Sequence, residues 1–135
     1  MSYATPIVFV VDDDVSVRES LELLIESAGW QAQTFESAQE FLAHPPVQAG
    51  PRCLVLDVNL PDFTGLELQQ SLALDGNDLP VILISGCDSG EATARGMKGG
   101  AVAFLTKPFD ADAFLRAIEH AIGRSRATLG REGEP

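Results

Sequence analysis

The sequence predicts a doubly wound α/β fold built on a five-stranded parallel sheet. Short apolar runs rich in Val, Ile and Leu recur along the chain, at 7–12, 53–57, 81–85 and 102–106. Stretches with helical spacing of apolar residues separate them. Each run also ends in a polar group: Asp12, Asp57, Ser85 and Lys107. Continuous apolar strands imply a sheet covered on both faces. Right-handed crossovers between such strands wind the sheet in both directions.

The elements follow in order. After Ile7–Val11, the residues Val17, Leu21, Leu24, Ile25 and Ala28 trace one helical face. Asp14 or Ser16 can cap the start of that helix, and Gly29 stops it. Residues 30–35 read as a short second strand, and a short helix follows with Ala38, Phe41 and Leu42 facing inward. The segment 44–51, with three prolines and a glycine, reads as loop. Strand 53–57 leads through an irregular loop, 59–65, into a helix carrying Leu66, Leu68 and Leu72 and ending at Gly76. Strand 81–85 runs into a weak helix over 91–98, broken by Gly99 and Gly100. The fifth strand ends at Lys107-Pro108, and the last helix buries Phe114, Leu115, Ile118, Ala121 and Ile122. Residues 1–124 read as one domain and 125–135 as a polar tail or the start of a linker.

Composition narrows the function. The 135 residues, 45% of them hydrophobic, suffice for one core. A formal net charge of -11 disfavours contact with nucleic acid, which needs clustered Lys and Arg. Two cysteines, Cys53 and Cys87, do not make a disulfide framework and read as reduced thiols. No secretory signal and no membrane-spanning run is read, so the expected location is the cytoplasm.

The polar strand ends carry the chemistry. In open parallel sheets, ligands bind outside the carboxyl ends of the strands. Asp12, Asp13 and Asp57 gathered there repel one another, and a hard divalent cation removes the conflict. Mg²⁺ suits such a site, because it takes oxygen ligands in octahedral geometry and keeps some waters. A carboxylate beside the cation can act as nucleophile toward a phosphoryl group. Lys107 and the Ser85 hydroxyl can stabilise charge on the other phosphoryl oxygens.

These residues resemble the receiver domain of two-component response regulators. The matching pieces are Val10-Val11-Asp12-Asp13, Leu56-Asp57-Val58-Asn59-Leu60-Pro61, Gly65, Ile84-Ser85-Gly86 and Phe104-Leu105-Thr106-Lys107-Pro108-Phe109. They span nearly the whole chain, and the acidic run with the 100–109 stretch is most similar to nitrogen-fixation (FixJ-like) receivers. The resemblance implies the flavodoxin-like strand order 2-1-3-4-5. It makes Asp57 the phosphoacceptor, fed by a sensor histidine kinase. It makes Asp12, Asp13, Asp57 and the Asn59 backbone carbonyl the site of Mg²⁺, for which Mn²⁺ can substitute. Asp13 then binds directly and Asp12 through water. Lys107 binds the phosphoryl group, its bond to Pro108 is cis, and Ser85 with Phe104 forms the switch.

The expected product is a signal rather than a turnover: the only chemistry is self-directed phosphoryl transfer and autodephosphorylation. The face of helix 91–98, strand 102–106 and helix 110–122 is then the output face. It offers Arg95, Lys98, Arg116, Glu119 and His120 to a second copy or an output protein. Ser16, Val17 and Pro108 are expected to meet the kinase. No helix-turn-helix pattern follows the domain, so the output is an attached domain outside this chain or a separate partner. A stand-alone relay or phosphate sink is the alternative. A metal-dependent phosphohydrolase with an Asp nucleophile is disfavoured, because such enzymes want a second Asp two residues on, where this chain has Asn59.

Overall fold

The computed structural model describes residues 5–43, 51–58, 79–86 and 90–132, with side chains described for all of these but 90–93 and 126–132. The strands are β1 (Ile7–Val11), β2 (Gln31–Phe35), β3 (Arg52–Asp57), β4 (Val81–Ser85) and β5 (Ala103–Thr106). The described helices are α1 (Val15–Ser27), α2 (Ala38–Leu42), α3 (Gly90–Lys98) and α4 (Ala111–Glu132). The strands form one sheet in the order β2-β1-β3-β4-β5, and every pairing is parallel. This is the expected flavodoxin-like order. The loop 59–65, the helix expected after it and Cys87 lie outside the described residues.

Strand alternation divides the core into two layers. Phe9, Val11, Leu54, Leu56 and Leu83 face one side, where Phe35, Ala38 and Phe41 cover them. Phe9, Phe35 and Phe41 meet there with ring centroids 5.4–6.3 Å apart, two of the three pairs edge-on. Val8, Val10, Cys53, Val55, Ile82 and Ile84 face the other side. There α1 brings Leu21 and Ile25, and α4 brings Phe114, Ile118, Ala121 and Ile122. β4 is buried along its full length and β3 from Cys53 onward, as a central pair covered on both faces requires.

Local signals set the helix ends. Asp14 is extended and its carboxylate accepts from the Ser16 and Val17 N–H groups, capping α1. Gly29 has φ +90° just beyond the last turn, a conformation that favours glycine. Ser37 caps α2 through Glu40 N–H. Gly100, at φ +98°, turns the chain from α3 into β5.

Three expectations change. Leu42 is exposed rather than inward, because α2 stops at that residue and only its Ala38 and Phe41 edge meets the sheet. Leu115 is half-buried rather than buried, since it sits on the flank of α4. The composition change after Gly123 does not end the last helix, which runs on to Glu132. Ser125 is buried, and its hydroxyl accepts a hydrogen bond of 3.0 Å from Arg52 N–H at the start of β3. A polar residue thus continues the packed face because it satisfies a backbone donor. Among the described residues, no helix is long and apolar enough to cross a membrane.

Two outcomes follow from this packing. Ser125→Ala removes the acceptor for a part-buried N–H and is expected to cost about 1–3 kcal/mol in denaturant-unfolding stability. Cys53 is fully buried, and desolvation pushes its thiol up to about 12. At pH 8 that leaves about one thiolate in ten thousand. In a Cys87→Ser background, Cys53 is expected to resist thiol reagents in the native protein and to react at once in denaturant.

Candidate functional site

The site lies at the carboxyl ends of β1 and β3, which are hydrogen-bonded neighbours. Asp57 is the last residue of β3, and Asp12 follows β1 directly. Alternation along both strands places these two on the α1–α4 side of the sheet. Asp12 is fully buried and Asp57 is 5% exposed, while Asp13 is exposed. One oxygen from each of the three carboxylates lies within 4.8 Å of the others.

Asp12 is held from several directions. One carboxylate oxygen accepts from Asp14 N–H at 2.9 Å, and the other accepts from Lys107 Nζ at 3.1 Å. Its backbone N–H donates to Phe35 O, and its carbonyl accepts from Arg18 Nη1 at 2.7 Å. Lys107 Nζ also lies 3.7 Å from Asp57 Oδ2, so one ammonium serves two strand-end carboxylates. Partial burial pushes the Lys107 pKa down. The Asp12 hydrogen bond and the charges of Asp12, Asp57 and Asp14 push it up by more, so the group is held above its ordinary value. The ammonium therefore stays charged throughout the neutral pH range.

The donor set fits a hard cation. Three carboxylates share one edge, two of them buried, and one ammonium offsets only part of their charge. Oxygen donors at this spacing suit Mg²⁺ better than a metal that prefers nitrogen or sulfur.

The other expected residues take defined places. Ser85 ends β4 and is buried; its carbonyl accepts from Lys107 N–H at 2.7 Å, tying the ends of β4 and β5 together. The Lys107–Pro108 bond is cis, as expected. Phe104, paired with Leu83, packs on the Phe9–Phe35 layer, the side on which alternation also places Ser85. Asn59 lies outside the described residues, so its carbonyl is not placed. A groove of about 350 Å³ adjoins the site, between Ser16, Val17, Ser20, Leu21 and Leu24 of α1 and the turn Lys107–Phe109. Phe109 stacks on Phe114 at 5.5 Å and so anchors that turn to α4.

Arg18 is the contributor that sequence reading missed. Its spacing, four residues after the helix cap Asp14, returns its side chain toward the strand end, and that spacing was the available signal.

Comparison with known proteins agrees with this geometry. The response regulator receiver domain model matches residues 8–119. Nodulation protein W of Bradyrhizobium diazoefficiens is 46% identical over 122 residues, 89% of this chain and 52% of that protein. The transcriptional regulatory protein FixJ of Azorhizobium caulinodans is 42% identical over 126 residues, 93% of this chain and 58% of that protein. The chain thus spans little more than half the length of these curated relatives. Among solved structures, the response regulator StyR superposes with a TM-score of 0.85 at 43% identity, over 96% of this chain and 65% of that one. FixJ-N superposes with a TM-score of 0.79 at 35% identity, over 91% and 95% of the two chains. The chain belongs to the response regulator receiver domain family and is a receiver of two-component signalling.

Proposed function

We propose that Asp57 accepts a phosphoryl group from the phosphohistidine of a sensor kinase. The observation that carries this is the shared ammonium: Lys107 Nζ lies within 4 Å of both Asp12 and Asp57 at the edge where the carboxylates converge. An Asp57 oxygen attacks phosphorus, the phosphorus–nitrogen bond breaks, and the imidazole leaves with the electron pair. An acyl phosphate results. Asp12, Asp13, Asp57 and the Asn59 carbonyl would hold Mg²⁺, whose chemistry is to neutralise charge on the transferring oxygens. Lys107 turns from its carboxylates to the incoming phosphoryl group, and Ser85 donates to another oxygen. Hydrolysis of the acyl phosphate then resets Asp57.

The kinase meets the groove between α1 and Pro108, which is open beside Lys107 and lined by apolar side chains with two serines. Output runs through Ser85 and Phe104 to the face of α3, β5 and α4, where a second copy or an output protein binds. Relatives more than one and a half times as long favour an attached output domain over a stand-alone relay, with 125–132 as the start of the connection. The cytoplasm is the compartment in which such a kinase would present its phosphohistidine.

Asp57→Asn is expected to abolish Mg²⁺-dependent labelling by acetyl phosphate, read by intact mass; undiminished labelling would sink the assignment. Lys107→Ala is expected to keep part of the labelling and lose most of the output change. Dimerisation measured by light scattering before and after phosphorylation checks this, and a wild-type response in the variant would count against it.

A further inference from the structure

We infer that Arg18 is a positioning residue for the metal ligand Asp13, acting through the peptide that joins it to Asp12. The inference rests on the reading of the acidic edge as an Mg²⁺ site. Asp13 is exposed and receives no hydrogen bond from any described residue, so its carboxylate is placed by backbone alone. On one side that backbone continues β1; on the other it enters the Asp14 cap of α1. Between them lies the Asp12–Asp13 peptide. Its carbonyl lies past the last ladder residue of β1, Val11, in a residue that is fully buried. A buried carbonyl without a partner is costly, and Arg18 Nη1 supplies the partner at 2.7 Å. A charge-assisted bond of that length fixes the plane of the peptide. The plane sets the direction in which Asp13 leaves the strand end.

Arg18 is itself well held for this task. It is half-buried on α1, and its own N–H donates to Asp14 O at 3.0 Å within the first turn of the helix. Its aliphatic stem therefore spans from a capped helix to the carbonyl, bridging the two elements that flank the acidic run. Asp12 needs this help less, because three other bonds hold it.

Charge and geometry make opposite predictions here, which makes the inference testable. Arg18 is a cation near a cation site. If only its charge mattered, neutralising it would relieve repulsion and tighten Mg²⁺ binding. If it positions Asp13, losing the fixed hydrogen bond weakens binding, as loss of an outer partner does at other metal sites. An Arg18→Lys variant keeps the charge but not the planar fork.

The experiment is calorimetric titration of the folded chain with MgCl₂. Arg18→Gln and Arg18→Lys are each expected to raise the Mg²⁺ Kd about tenfold. Asp13→Asn is also expected to raise it, and Arg18→Gln added to Asp13→Asn is expected to cost little more, the non-additivity of two residues acting through one ligand. A wild-type or lower Kd in both Arg18 variants overturns the inference, as does full additivity with Asp13→Asn. Loss of cooperative unfolding in both variants also overturns it, since Arg18 would then serve the fold. If the wild-type chain itself takes no Mg²⁺, the reading of the site fails; if wild type binds and the variants bind equally, only the role of Arg18 fails.

Discussion

Three carboxylates held together at one sheet edge are the constraint on which the rest of the structure depends. Like charges at this spacing oppose folding unless something offsets them. The chain answers with one ammonium, Lys107, placed between Asp12 and Asp57, and with the Asp14 N–H aimed at Asp12. Strand order makes the gathering possible. β1 lies between β2 and β3, so the chain must reverse its winding there, and the ends of β1 and β3 open onto one crevice. Burial of β4 and of β3 from Cys53 onward then ties this edge to the core: neither strand can shift without disturbing both layers.

The same alternation puts the strand-end carboxylates and the Ser85–Phe104 pair on opposite faces of the sheet. Asp12 and Asp57 fall on the face covered by α1 and α4, while Ser85 and Phe104 fall on the opposite one. A change at Asp57 must therefore cross the sheet edge rather than pass along one face. The strand-end hydrogen bonds provide the route. Val58 N–H donates to Ile84 O, and Lys107 N–H donates to Ser85 O at 2.7 Å. The peptide after Asp57 is thus bound to β4, and the peptide of Lys107 is bound to Ser85. The β4 end is linked to both partners of the proposed reaction.

Much of this was legible because period and punctuation agreed. The strands β1, β3 and β4 read as unbroken apolar runs, and Asp14, Gly29 and Gly100 mark boundaries by their backbone chemistry. Asp12, Asp13, Asp57 and Lys107 were legible as a set, since a parallel sheet brings its strand ends together whatever the intervening loops do. What escaped was tertiary. Ser125 reads as a polar tail residue, yet it completes the packed face by satisfying Arg52 N–H. Leu42 reads as core by its type, but α2 ends too soon to turn it inward. Arg18 drew no reading, because the bond that defines it goes to a backbone carbonyl, and its spacing from the Asp14 cap was the one signal that pointed there.

Lys107 shows why an acceptor site here can also be a switch. Its ammonium lies 3.1 Å from Asp12 and 3.7 Å from Asp57, so it is held more closely by the carboxylate that is not the proposed acceptor. In the proposed reaction, phosphorylation of Asp57 would add negative charge and three strong acceptors on the side where the contact is longer. The balance between the two partners then favours Asp57. The side chain can swing, but its own N–H is bonded to Ser85 O, so the movement is anchored at the end of β4. In that proposed reaction, a cation shared unequally between two carboxylates and tied through its backbone to Ser85 would turn a local change of charge into a force on the strand end. The site needs no flexible core for this, only a lysine whose two partners differ in what they become.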